Sequence, residues 1–124
     1  MTVERAQILG GWELIGLRIV DDSGKVLSQP QARKGQLLYT NDGCVAAFMS
    51  GDDGNVAYSG RFEVSGPRIV HRIQMSLDPK LIGTSQIRIA RMEGDRLVLS
   101  SSPSILGGPG TSAELIWRRS GADK

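Results

Sequence analysis

His71 is the only histidine of the chain and Cys44 its only cysteine. The histidine lies in the alternating run Ile69-Val70-His71-Arg72-Ile73, which reads as a β-strand with His71 on its apolar face. Imidazole is the side chain whose ordinary pKa falls near neutrality, so a histidine placed there can move a proton or hydrogen-bond a bound molecule. The plainer reading is a core histidine bonded to a backbone carbonyl or to water. Arg88, in Gln86-Ile87-Arg88-Ile89-Ala90, is the second group of interest. An inward arginine must meet a carboxylate, several carbonyls or a polar ligand group, because an unpaired buried charge costs several kcal/mol. A ligand bearing a carboxylate, phenolate or carbonyl would satisfy it. Burial and a neighbouring guanidinium would both lower the pKa of His71 and keep it neutral. A register shifted by one residue would instead put Arg88 in water and Ile87 and Ile89 inside.

Tyr58, Tyr39 and Gln86 offer two hydroxyls and an amide. With the apolar Phe48, Phe62, Ile73, Met75, Leu97 and Leu99 they have the character of a small-molecule cavity, apolar with a few placed polar groups. A filled core would use similar apolar residues, and the small residues Gly60, Ala46 or Ala47, and Ala90 favour a cavity. Cys44 follows a turn glycine without a charge or histidine beside it in sequence, so a catalytic thiol is not expected.

The elements that must position these groups are strands. Apolar and β-branched runs at 12–20, 35–40, 44–49, 57–65, 68–77, 84–92, 96–101 and 112–119 are separated by glycine-containing turns, and sixteen glycines suit so many turns. Residues 3–9 are expected to form one or two helical turns capped by Thr2. Asn41-Asp42-Gly43, Gly66-Pro67 and Gly94-Asp95 are turns, and the last two set testable registers. Pairing Ser65 with Arg68 sets Val64 opposite Ile69, Phe62 opposite His71, Gly60 opposite Ile73 and Tyr58 opposite Met75. Pairing Glu93 with Arg96 sets Met92 opposite Leu97 and Ala90 opposite Leu99. A loop over 78–83 would bring Leu77 opposite Thr84, with Gln86, Arg88 and Ala90 on the face of His71 and Met75. All three agree on one inside. Eight strands joined by hairpins predict an all-β, closed antiparallel barrel, with a two-sheet sandwich as the alternative.

At 124 residues the chain fits one domain, 1–124. A net charge of +2 from interspersed residues provides no polyanion-binding field, so nucleic acid is not an expected partner. One cysteine and one histidine exclude an internal disulfide and a multi-Cys or multi-His metal site, and neither metal nor cofactor is expected. No apolar run is long enough for a membrane span and the N-terminus lacks a leader pattern, so a cytoplasmic location is expected, without membrane association. Gly107-Gly108-Pro109-Gly110 lacks the ending of a nucleotide-binding loop and reads as a loop at the barrel mouth. Ile15, Leu17 and Ile19 form an outward apolar stripe on the first strand, which the N-terminal segment or a second copy in a homodimer would cover.

An ordered set of motifs resembles the bacterial and fungal lipocalin-like domain family, relatives of lipocalins and fatty-acid-binding proteins. It comprises Ile8-Leu9-Gly10-Gly11-Trp12-Glu13-Leu14 with its G-x-W spacing, Gly35-Gln36-Leu37-Leu38-Tyr39-Thr40-Asn41-Asp42-Gly43 and Tyr58-Ser59-Gly60-Arg61-Phe62-Glu63-Val64. Val70-His71, Ile82-Gly83-Thr84, Gly94-Asp95-Arg96-Leu97 and Leu115-Ile116-Trp117-Arg118-Arg119 complete it. The sequence departs from the family pattern at Arg72, where a second histidine is common, and at Leu81 and Ile82, where an aromatic often stands. The resemblance implies an eight-stranded lipocalin-like barrel with an internal cavity. It also implies that Trp12 closes one end, with Arg118 or Arg119 stacked on it. Related barrels can hold haem through a histidine. The fold alone names no ligand.

Together these readings predict a barrel that binds a small amphipathic organic molecule, oriented by Arg88, His71 and Tyr58. The alternative is a cofactor-independent cyclase or isomerase in the same cavity, with His71 moving a proton and Arg88 or Tyr58 stabilising an oxyanion. A third reading is an interaction domain with a filled core.

Overall fold

The computed structural model describes residues 3–29, 34–51, 54–101 and 110–121. A short helix α1 (Arg5–Ile8) leads into β1 (Gly10–Asp21), followed by β2 (Val26–Ser28), β3 (Lys34–Tyr39), β4 (Cys44–Gly51) and β5 (Gly54–Ser65). Then come β6 (Arg68–Ser76), β7 (Ser85–Glu93), β8 (Arg96–Ser101) and β9 (Thr111–Arg119). Strands β3 to β9 pair in chain order and β9 returns to β1, which closes an eight-stranded antiparallel barrel; β2 pairs only with the far end of β1. Closure leaves no bare sheet edge around the ring.

Three hairpins fall where the turn residues predict. Ser65 faces Arg68 across Gly66-Pro67, Glu93 faces Arg96 across Gly94-Asp95, and Thr40 to Gly43 join β3 to β4. Gly66, Gly94 and Gly43 all have positive φ, which suits glycine at these positions. The expected pairs Val64–Ile69, Phe62–His71, Gly60–Ile73, Met92–Leu97 and Ala90–Leu99 are all present.

Two bulges alter the predicted faces. In β6 the ladder passes from Gly60–Ile73 to Ser59–Met75, so Gln74 is an extra residue and the parity beyond it inverts. Tyr58 therefore faces Ser76 rather than Met75. At Gly60 β5 and β6 approach tightly, since a Cβ there would sit 1.8 Å from the carbonyl oxygen of Arg72. Its small size serves this approach and not the widening of a cavity. In β1 the ladder skips Ile15, which turns Leu17 and Ile19 inward opposite Leu115 and Ala113. The outward stripe expected on the first strand does not form, and with it goes the sequence argument for a homodimer.

The β6–β7 connection also differs. His71 faces Gln86, four residues from the expected register, and Ile73 bonds instead to the backbone of Gly83 and Thr84. The intervening chain is occupied by a 3-10 turn, Pro79–Leu81, capped by Asp78. Because the displacement is an even number, Gln86, Arg88 and Ala90 still share the inner face with His71.

One end of the barrel is sealed by α1. Glu4, rather than Thr2, occupies its N-cap in a reciprocal arrangement with Gln7, and Thr2 lies outside the described residues. Trp12 donates its indole N–H to the carbonyl of Ile8 at 2.8 Å. Arg119 lies 4.2 Å over the Trp12 ring and bonds the carbonyls of Leu9 and Gln7. Arg118 instead pairs with Glu13 outside the barrel. On the outer face, Arg91 crosses over buried Val98 to reach Glu114 at 2.7 Å, and Glu114 also holds Arg18.

Candidate functional site

His71 is 1% exposed and sits between two tyrosines brought from other strands. The Tyr39 hydroxyl of β3 is 2.7 Å from Nε2, and the Tyr58 hydroxyl of β5 is 2.7 Å from Nδ1. A neutral imidazole has one donor and one acceptor nitrogen, so one hydroxyl donates to it and the other accepts from it. Burial holds the ring neutral, with the charge of Arg88 acting in the same direction, and the His71 pKa falls to about 3. Both phenols are pushed up, Tyr39 well above its ordinary value by burial and by Tyr58 beside it, and Tyr58 by burial. Phe62 packs edge-on against Tyr39 with ring centres 4.8 Å apart. The whole triad is therefore uncharged at neutral pH, and both imidazole nitrogens are engaged, one as donor and one as acceptor.

Arg88 lies on the inner face, half-buried, opposite Ile69 and diagonal to His71. Ile87 and Ile89 point out and are exposed, which decides the parity left open by the sequence. The guanidinium donates to the carbonyl of Ile87 at 3.1 Å and has no carboxylate partner among the described residues. Gln86, the cross-strand neighbour of His71, donates to the Thr84 hydroxyl at 3.3 Å.

The apolar surroundings separate into two groups. Phe62, Ile73, Leu97 and Leu99 are buried in the core around the triad. Phe48 and Met75 are not: Phe48 is 45% exposed on the outer face of β4, where Val45 and Ala47 take the inner positions. Met75 is 65% exposed because the extra residue at Gln74 rotates it outward. Ala47 and Ala90 are buried, while Ala46 lies on the other face of β4. Each member of the triad is legible in the sequence, but their contact is not, since Tyr39 is 32 residues from His71. The alternation of β3, which buries Leu37 and Tyr39 together, was the available signal.

Cys44 is partly exposed, and its sulfur lies 3.9 Å from an Arg61 nitrogen. No group of three or more metal-binding side chains occurs among the described residues. No helix among them is long and apolar enough to cross a membrane. Of the expected mouth loop Gly107-Gly108-Pro109-Gly110, residues 107–109 lie outside the described residues.

A family model described as the lipocalin-like domain matches residues 52–120. A 4'-hydroxy-3'-methoxypropiophenone carrier protein of Aspergillus oryzae is 36% identical, over an alignment covering 58% of this chain and 80% of that protein.

Proposed function

The chain belongs to the lipocalin-like domain family, and from that premise we propose that it carries a small amphipathic organic molecule in the barrel interior. The apolar wall around Phe62, Ile73, Leu97 and Leu99 supplies affinity, Arg88, Tyr58, Tyr39 and Gln86 orient the polar end, and His71 contributes by holding the two phenols in place. The observation that carries this reading is the inward Arg88 without a carboxylate partner, set beside a neutral and internally bonded Tyr39–His71–Tyr58 triad. The name of the relative agrees, since its cargo is a small phenolic aryl ketone, an aromatic body bearing an acidic hydroxyl para to a carbonyl.

The cyclase or isomerase reading asks His71 to take a proton near neutrality. A ring with a pKa of about 3 and both nitrogens bonded to tyrosines is a poor base at that pH, so carriage is the better-supported activity. Titration with 4'-hydroxy-3'-methoxypropiophenone, followed by tryptophan fluorescence and calorimetry, tests the proposal. Native mass spectrometry of freshly purified protein accompanies it. Saturable binding at one molecule per chain, or a co-purified organic molecule of defined mass, is the expected result. Absence of both overturns it.

A further inference from the structure

We propose that the carried molecule is held as an anion, with an ionised phenol, enol or carboxyl oxygen against the Arg88 guanidinium, and that its neutral form binds far more weakly. This rests on the carrier reading and narrows it. A guanidinium has five N–H donors, and among the described residues one acceptor, the carbonyl of Ile87, is present for those of Arg88. A carbonyl ligand would supply hydrogen bonds but no countercharge, whereas an oxyanion supplies both.

The described carboxylates are occupied elsewhere. Glu13 pairs with Arg118, Glu63 with Arg72, and Glu93 and Glu114 with Arg91 and Arg18. Asp21, Asp42 and Asp78 bond within turns, Glu4 caps α1, Asp95 lies beside Arg96, and Asp22 is exposed. The barrel interior therefore holds one formal positive charge with no described protein anion to balance it.

The groups that face Arg88 do not titrate in the working range. From β6 the inward group is His71, while Arg68 and Arg72 alternate to the outside. From β8 come Leu97 and Leu99, and from β3 and β5 across the interior come Tyr39 and Tyr58. His71 is neutral above about pH 4, and both phenols ionise above their ordinary range. Between pH 6 and 9 the titrating partner is then the ligand itself. A phenol conjugated to a para carbonyl is a vinylogous acid and loses its proton more easily than tyrosine does, so a cargo like that named for the relative would cross its ionisation within this window.

The test uses two matched pairs on the full chain from pH 6 to 9. One pair is 4'-hydroxy-3'-methoxypropiophenone and its 4'-O-methyl ether. The other is 4-phenylbutanoate and 4-phenylbutanamide. The acidic member of each pair is expected to bind at least tenfold tighter when ionised. Affinity for the phenol should rise about tenfold per pH unit up to its own pKa and then level. Arg88→Gln should erase the preference and flatten the profile, while Arg88→Lys retains part of both. The pH profile of the unaltered chain stands even if a variant folds poorly. Equal affinities within pairs and a flat profile would overturn the inference while leaving carriage intact. A preference that survives Arg88→Gln overturns the assignment to Arg88. If none of the four compounds binds, the inference fails, and the carrier reading fails with it when native mass spectrometry also finds no co-purified molecule.

Discussion

Tyr58 and His71, thirteen residues apart on neighbouring strands, are joined by a 2.7 Å hydrogen bond to Nδ1. With Tyr39 on the other ring nitrogen, this bond turns the one histidine of the chain into a neutral, internally bonded group rather than a free base.

That neutrality has a measurable cost in acid. The folded-state pKa of about 3 is below the ordinary 6.5, so between these values the unfolded chain binds the extra proton. Stability contributed by the neutral ring is complete above about pH 7, is lost as pH falls toward 3, and changes no further below that. Urea denaturation between pH 4 and 7 should show a slope of up to about 1.3 kcal/mol per pH unit from this group. His71→Gln should flatten that part of the curve. An unchanged slope would show that His71 is not held neutral.

Removing either hydroxyl leaves one imidazole nitrogen unpaired inside the barrel. Tyr58→Phe and Tyr39→Phe are each expected to destabilise by about 1–3 kcal/mol. Because both act through one ring, the double variant should differ from the sum by at least about 0.5 kcal/mol. Strict additivity in chemical denaturation would contradict a single network.

The sealed end depends on Arg119, which stacks on Trp12 and holds the carbonyls of Leu9 and Gln7. Arg119→Ala should cost about 2–4 kcal/mol, and Arg119→Lys nearly as much, since an ammonium cannot stack and fork at once. Hydrogen exchange should quicken first in α1 and at the start of β1. Protection unchanged there would separate the helix from the arginine.

Gly60→Ala puts a methyl group 1.8 Å from the Arg72 carbonyl oxygen, which is backbone and cannot step aside without breaking the β5–β6 ladder. A loss of about 3 kcal/mol or more, or failure to fold, is expected. Thermal denaturation of this variant with wild-type midpoint would mean that the bulge is absent in solution.

Phe48 is exposed on the outer wall, so Phe48→Ser should change ligand affinity by less than about twofold, while interior substitutions such as Ile73→Ser weaken it. A large loss from Phe48→Ser in the same titration would reverse the assignment of that strand's faces.

Much of this was legible in the chain. The alternation in β5 to β8, with glycine and proline turns, set strand order and most cross-strand pairs because side chains alternate with a period of two and a tight turn admits few registers. It also placed His71, Gln86 and Arg88 on one face. The even shift of the β6–β7 register left that assignment unharmed, although the partner of His71 changed. What tertiary structure alone decided were the bulges at Ile15 and Gln74 and the contacts between strands distant in sequence. A bulge answers to the curvature needed to close eight strands around a core, which no local pattern encodes. The same closure carries Tyr39 across to His71, so the triad exists only once the ring is complete.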